Sequence, residues 1–201
     1  MMMYEIFLQL VDLVKTFGYL GIFIMTFIES TFAPIPSEVT LIPAGFLVSQ
    51  GEMNFFIVLF ASILGTIGGS LFNYWIASHF GRRLLLKFGK YFFINEDKLK
   101  SIEFFFERHG AISTFSGRLL PGIKHFISFP AGLGRMNLRV FTIYTLAGGF
   151  IWNSTLLTLG YLIGENKALL KQYIKQINIV IIITLTLIAL LYYFKNKKKT
   201  S

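Results

Sequence analysis

Four charged residues stand inside apolar sequence that is interrupted by proline. Two acids, Glu29 and Glu38, flank one break, and two bases, Arg118 and Lys124, flank another. A charge at the centre of a membrane helix costs about 2.5–3.5 kcal/mol on insertion scales, which makes such residues functional candidates. Arginine offers a planar fork of donors and lysine a point charge, so the two bases suit a phosphate. A carboxylate in a poorly hydrated cavity can load and release a proton near neutral pH, so the two acids are candidate proton carriers.

Each of these assignments has a structural alternative. The bases would otherwise extend to the membrane surface while their aliphatic stems stay in the apolar region. The acids would otherwise form permanent ion pairs with the bases, or the pair itself would act as a switch. His125, beside Lys124, belongs to the residue type that titrates near pH 6.5, although an interfacial position is the more common role.

The apolar runs beside the breaks are short. Residues 17–28 are only about 12 long, whereas a spanning helix needs about 20 residues. We therefore predict one re-entrant hairpin over 17–48 and a second over 111–132. Irregular backbone at membrane depth is tolerated only where it is buried in protein or lines water. The prolines expected to break helices at the site are Pro34, Pro36, Pro121 and Pro130.

The composition is that of an all-α integral membrane protein, with 54% hydrophobic and 14% charged residues. We predict one membrane domain over 1–201, with about three full transmembrane helices and amphipathic surface helices. The predicted transmembrane helices are 55–79, 140–163 and 177–194, the last followed by a basic tail over 195–201, and the predicted surface helices are 3–16 and 96–109.

The two halves contain similar motifs in the same order, which predicts a repeat over 15–81 and 96–164. A Gly-x7-Glu pattern at Gly21–Glu29 matches Gly-x7-Arg at Gly110–Arg118; Pro43-Ala44-Gly45 matches Pro130-Ala131-Gly132, and Met53-Asn54 matches Met136-Asn137. Small residues permit close helix packing, and amide side chains hydrogen-bond across helices. The residues expected to pack helices together are Gly68, Gly69, Asn73, Gly148, Gly149 and Asn153.

Basic residues are concentrated in the second half. Residues 1–81 contain one base, Lys15, and five acids, whereas 82–201 contain 18 bases and five acids. The positive-inside rule places 80–139 and the C-terminus in the cytoplasm. The hairpins then enter from opposite sides, which makes the repeat an inverted one. Because the bases flank apolar spans, we expect membrane lipids rather than nucleic acid as partners. With no cysteine and three unclustered histidines, we expect neither a metal nor a cofactor.

The chain resembles the bacterial DedA family, also called the SNARE-associated or VTT-domain family. The resemblance lies in the acidic Pro-x-Pro-x-Glu break and in the run Phe115-Ser-Gly117-Arg118-Leu-Leu-Pro121, and it covers roughly residues 15–165. The family usually has arginine where this chain has Lys124. The resemblance implies a bacterial inner-membrane protein that depends on the proton gradient, supports envelope integrity and flips undecaprenyl phosphate or a phospholipid such as phosphatidylethanolamine between leaflets.

Several functions stay open on sequence alone. The leading hypothesis is a proton-coupled lipid transporter and not an enzyme. The alternatives are a proton-coupled ion or small-solute carrier, a membrane assembly factor, and a lipid phosphatase that uses His125. Glycine-rich faces of 55–79 and 140–163 are compatible with packing within one chain or within a homo-oligomer.

Overall fold

A computed structural model describes residues 2–31, 36–81, 96–120 and 123–166, and every regular element within these ranges is a helix. This confirms the predicted all-α class. The helices are α1 (Met2–Glu29), α2 (Glu38–Ser49), α3 (Phe55–Ile76), α4 (Glu96–Arg118), α5 (Ser128–Leu133) and α6 (Leu138–Glu165), and a π-helical turn (Ala77–Gly81) extends α3.

Three of the described helices are long and apolar enough to cross a membrane. They are Glu5–Glu29, Phe55–Gly81 and Leu138–Glu165. The last two correspond to the predicted spans 55–79 and 140–163. Large apolar side chains on these helices lie at the surface, as on Phe56, which is 77% exposed. Such surface is typical of a membrane protein. The predicted span 177–194 and the tail 195–201 lie outside the described residues.

One predicted helix boundary differs from the structure, and another lies close to a break in a helix. Within α1, two helical segments meet at Gly18 (φ 59°, ψ −152°), near the predicted boundary between the surface helix 3–16 and the short run 17–28. This backbone conformation is accessible almost only to glycine, and it interrupts the regular helix. The predicted surface helix 96–109, in contrast, continues as α4 to Arg118, because helix propensity alone does not end a helix at Gly110.

Each of the long helices α3 and α6 packs against the long helix of its own half, α3 on α1 and α6 on α4. Each short helix packs on the long helix of the other half of the chain: α2 packs on α6, and α5 packs on α3. A Cβ on Gly45 of α2 would overlap the carbonyl oxygen of Leu157, and a Cβ on Gly132 of α5 would overlap that of Tyr74. Both Pro-Ala-Gly motifs thus bring backbone against backbone, which only glycine allows.

Matching asparagines begin α3 and α6. The Asn54 side-chain oxygen accepts hydrogen bonds from Phe56 N at 3.0 Å and Ile57 N at 3.3 Å. The Asn137 oxygen accepts from Arg139 N at 3.0 Å and Val140 N at 3.3 Å. Each oxygen therefore satisfies backbone donors that a first helical turn leaves unpaired. The Met-Asn pairs noted in the sequence act as equivalent helix caps.

The buried apolar residues of the described chain form two clusters. The larger one joins α1, α2, α3 and α6, and the smaller one lies around α4 and α5. The fully buried members of the larger cluster include Ile22, Leu41, Ile42, Leu47, Val58 and Leu157, and the smaller cluster consists of Phe106, Ile127, Ala131, Met136 and Phe141.

Candidate functional site

The site forms where helices end. Glu29 is the last residue of α1, Arg118 is the last residue of α4, and Lys124 lies in the turns that lead to α5. All three side chains are buried, with residue exposures of 6%, 4% and 6%. The breaks in the two apolar segments thus bring together one carboxylate and two cations in the protein interior.

Lys124 is the centre of this group. Its Nζ lies 2.8 Å from Glu29 Oε1 and also donates to the hydroxyl of Ser37. The Nζ lies 5.1 Å from the centroid of the Trp152 ring, within the range of a cation–π contact. The second Glu29 oxygen, Oε2, is buried and has no hydrogen-bond partner among the described residues. The carboxylate is therefore only half satisfied.

Ser37 connects the ion pair to α6. Its hydroxyl accepts a hydrogen bond from Lys124 Nζ and another from Trp152 Nε1 at 3.0 Å. Ser37 occupies the N-cap position of α2, yet its side chain makes no capping hydrogen bond. A serine at this position usually caps its helix. Here the hydroxyl is directed to the site instead.

Arg118 is held by neutral groups. Its Nη2 donates to Ser128 Oγ at 2.7 Å and its Nη1 to the carbonyl oxygen of Lys124 at 3.4 Å. Its Nε is buried and has no hydrogen-bond partner among the residues that the structure describes. Within the described ranges no carboxylate lies within 4.0 Å of the guanidinium. A buried cation without a paired anion is costly, so this position is suited to binding an anion.

A small polar cavity lies between these groups. It contains about 10 Å³ of space for the centre of a water molecule, which is room for about one water. The residues around it are Glu29, Ser30, Thr66, Arg118, Lys124, His125, Gly149, Trp152 and Asn153. In this conformation the two bases contact the protein's own groups, and a phosphate group has no room beside them.

The predicted packing residues surround the site. Asn73 Nδ2 donates to the Ser30 carbonyl at 3.2 Å, and Asn153 Nδ2 donates to Ser62 Oγ at 3.1 Å. A Cβ on Gly148 of α6 would lie 2.7 Å from the Cβ of Arg118. Glycine at this position therefore leaves room for the aliphatic part of the arginine side chain. Gly68 and Gly69 pack against Phe27, and Gly149 packs against Thr66. Asn153 Nδ2 also donates a hydrogen bond to Thr66 Oγ1 at 3.3 Å.

Other predicted residues lie at the margin of the site. Glu38 is the first residue of α2, is half-buried, and makes no hydrogen bond or ion pair within the described part of the chain. Pro36 directly precedes α2. Pro130 lies inside the first turn of α5, where its missing N–H would have no helical partner in any case. Pro34 and Pro121 lie outside the described residues.

Three of the side chains that contact Arg118 or Lys124 were not among the predicted site residues: Ser37, Ser128 and Trp152. Ser37 stands inside the first broken segment and Trp152 beside the predicted Asn153, so proximity was the only signal for both. Nothing in the sequence distinguished Ser128. His125 joins the site as well, because its Nδ1 lies 3.0 Å from the Glu29 carbonyl oxygen. Its hydrogen-bond partner in the described chain is thus a backbone carbonyl and not an orienting carboxylate.

Comparison with known proteins identifies the family. Residues 35–162 match the VTT domain. An uncharacterized membrane protein, YkoX of Bacillus subtilis, is 37% identical over 97% of this chain and 86% of its own length. Undecaprenyl phosphate transporter A of the same organism is 33% identical over 92% of this chain and 90% of its own length.

A third relative has a name from another functional class. The alkaline phosphatase-like protein of Lactococcus lactis subsp. lactis is 30% identical over 99% of this chain and 98% of its own length. No solved structure matches the chain. The domain match covers well over half of the sequence, and the relatives align over nearly all of it. The chain is a multi-pass membrane protein that belongs to the VTT-domain family, the DedA family that its motifs resemble.

Proposed function

We propose that this protein transports a lipid across the bacterial cytoplasmic membrane by moving its phosphate headgroup through the site at Glu29, Arg118 and Lys124. The observation that supports this most is the buried Arg118 guanidinium. It has a free Nε and no carboxylate within 4.0 Å in the described ranges. A phosphate would supply the missing negative charge and accept two parallel N–H bonds.

Lys124 acts as the second phosphate ligand in this proposal. In the present conformation its charge is matched by Glu29 at 2.8 Å. An incoming phosphate therefore has to compete with a carboxylate for the ammonium. Because the cavity has room for about one water, phosphate entry also requires the helix ends around Glu29 and Lys124 to separate.

Protonation of Glu29 would promote that separation. A neutral carboxyl no longer balances the charge of Lys124, which leaves a buried cation in need of an anion. Binding of phosphate and binding of a proton would then favour the same state, and a proton gradient would drive lipid movement. Glu38, half-buried at the start of α2, is the second proposed proton carrier and would exchange protons between Glu29 and the outer solvent.

The predicted inverted repeat would provide two entry routes. We propose that residues 17–48 and 111–132 form re-entrant hairpins that approach the site from opposite sides, with the C-terminus in the cytoplasm. The reciprocal packing of α2 on α6 and α5 on α3 supports this arrangement, as do the matching caps at Asn54 and Asn137. Sites at the interface of inverted repeats are typical of alternating-access transporters.

The relatives support a lipid substrate. One relative named for transport of undecaprenyl phosphate aligns with 92% of this chain. We propose undecaprenyl phosphate as the substrate to test first and phosphatidylethanolamine as the second. The phosphatase-like name of another relative makes release of inorganic phosphate a necessary control in the same assay.

The test is leaflet transfer of both lipids in proteoliposomes, with and without a pH gradient. The variants are Arg118→Ala, Glu29→Gln and Glu38→Gln, and the matched control is Arg139→Ala, which removes an exposed positive charge. We expect transfer of one lipid above protein-free vesicles, loss of it in Arg118→Ala, and loss of its pH dependence in Glu29→Gln.

Three results would contradict the proposal. Transfer of neither lipid by folded protein, with ion flux in the same vesicles, would favour the ion carrier. Release of inorganic phosphate from the lipid in the same vesicles, or from an added lipid pyrophosphate, would favour the enzyme. Normal support of the cell envelope by an Arg118→Ala protein at unchanged abundance would favour an assembly factor without transport.

A further inference from the structure

A lateral groove adjoins the polar site. Its volume is about 320 Å³, and its lining residues are Ile123, His125, Phe126, Ile127, Phe129 and Pro130. We call it the His125 groove. Apart from the histidine, its lining side chains are all apolar. His125 also lines the small polar cavity that contains Arg118 and Lys124. The two spaces therefore share one lining residue, His125.

We propose that the His125 groove binds the first isoprene units of a polyprenyl phosphate whose phosphate is bound by Arg118 and Lys124. This inference rests on the proposed function and specifies the class of lipid. The groove provides hydrocarbon contacts within one side chain of the cations. A ligand that fills both spaces must have an anionic group attached almost directly to a hydrocarbon chain.

The chemistry of the groove distinguishes between the two candidate lipids. In a polyprenyl phosphate the first isoprene follows the phosphate oxygen directly. In a glycerophospholipid a glycerol and two ester groups intervene, and buried ester oxygens and a second chain need partners of their own. Among the described residues, the only polar side chain that lines the groove is His125, and its Nδ1 lies 3.0 Å from the Glu29 carbonyl oxygen. Its surface thus suits one branched hydrocarbon chain.

The size of the groove agrees with a short part of one chain. A dry cavity of about 150 Å³ accepts benzene, so about 320 Å³ accepts roughly two six-carbon groups. Ile123 and Phe126 are 49% and 59% exposed, so the open edge of the groove allows the rest of the chain to continue into surrounding lipid.

The test uses a polyprenyl phosphate that carries a photoreactive diazirine on its first isoprene unit. The full-length protein is reconstituted in vesicles, labelled by light, and mapped by mass spectrometry, while lipid transfer is measured in the same preparation. A phosphatidylethanolamine with a diazirine near its ester group is the second probe. We expect labelling by the polyprenyl probe to concentrate on the His125 groove and labelling by the second probe to spread over lipid-facing residues.

Two variants isolate the groove. Ile123→Trp fills the groove. Leu120→Trp is the control, because Leu120 is 48% exposed and Ile123 is 49% exposed, but Leu120 does not line the groove. The indole occupies the space proposed for the isoprene units, so we expect groove labelling to fall about tenfold in Ile123→Trp, a change that corresponds to 1.4 kcal/mol of binding free energy. We expect labelling to be unchanged in Leu120→Trp.

The possible results separate this inference from the proposed function. Labelling spread over exposed residues such as Phe56 and Ile112, with transfer intact, would overturn the groove assignment alone. Absence of groove labelling because another part of the chain covers the groove would overturn it as well. Groove labelling without any transfer would support the groove and contradict the transport proposal.

Discussion

Replacement of Lys124 by methionine would remove one partner of a buried ion pair. The two charged atoms lie 2.8 Å apart, and both side chains are 8% exposed. At an effective dielectric constant of 20, the attraction between unit charges at this distance is about 6 kcal/mol. Desolvation of each ion costs several kcal/mol, so the intact pair contributes little net stability. Removal of only one partner, in contrast, destabilises the fold by about 3–5 kcal/mol because the other charge stays buried.

A double-mutant cycle measures this coupling directly. The free energies of unfolding in detergent are compared for the wild type, Lys124→Met, Glu29→Gln and the double variant. We expect each single variant to be clearly destabilised, and the double variant to lose about 2–3 kcal/mol less than the sum of the two single losses, which is the coupling energy.

The exposed pair Lys15–Glu52 is the matched control. Its charged atoms lie 2.6 Å apart, yet the side chains are 58% and 39% exposed. An exposed pair contributes about 0–1 kcal/mol, so the cycle on Lys15→Met and Glu52→Gln is expected to be nearly additive. Additivity within about 0.5 kcal/mol at the buried pair would refute the reasoning, because Glu29 and Lys124 would then not depend on each other.

Two further predictions concern helix packing and a spectroscopic probe of the site. In a thermal unfolding assay, Gly69→Ala should destabilise the protein by roughly 1–3 kcal/mol because its new Cβ meets the backbone carbonyl of Phe27. Gly68→Ala should destabilise it less, because its Cβ meets only the Phe27 ring. Equal losses of stability in the two variants would contradict this prediction. The chain has two tryptophans, and Trp75→Phe leaves only Trp152. The fluorescence of Trp152 should change when a polyprenyl phosphate is added, since this side chain contacts Lys124 and Ser37. An unchanged emission spectrum at saturating lipid would argue against binding at Lys124.

Local sequence predicted the features that depend on local physics. The apolar lengths of 55–79 and 140–163 correspond to α3 and α6, since span length follows directly from hydrophobicity. The Met-Asn pairs fall at two helix starts, where an asparagine oxygen accepts backbone hydrogen bonds. The charged residues in the two breaks were recognisable because their burial is costly without a partner.

Features that arise from tertiary packing were not predictable. Lys124 and Glu29 are 95 residues apart in sequence, and only the meeting of two helix ends decides which base pairs with the acid. Arg118 is held by a serine hydroxyl instead. The sharp change of direction inside α1 depends on the positive φ of Gly18, which glycine adopts readily. A hydrophobicity pattern contains no information on such a backbone angle.

The most direct test of the account is lipid transfer by Arg118→Ala beside Arg139→Ala in the same proteoliposomes. Both variants lose one positive charge, but only Arg118 is buried at the site. The account predicts that undecaprenyl phosphate transfer is lost in Arg118→Ala and retained in Arg139→Ala. Equal transfer by both folded variants would contradict the assignment of Arg118 as the phosphate ligand.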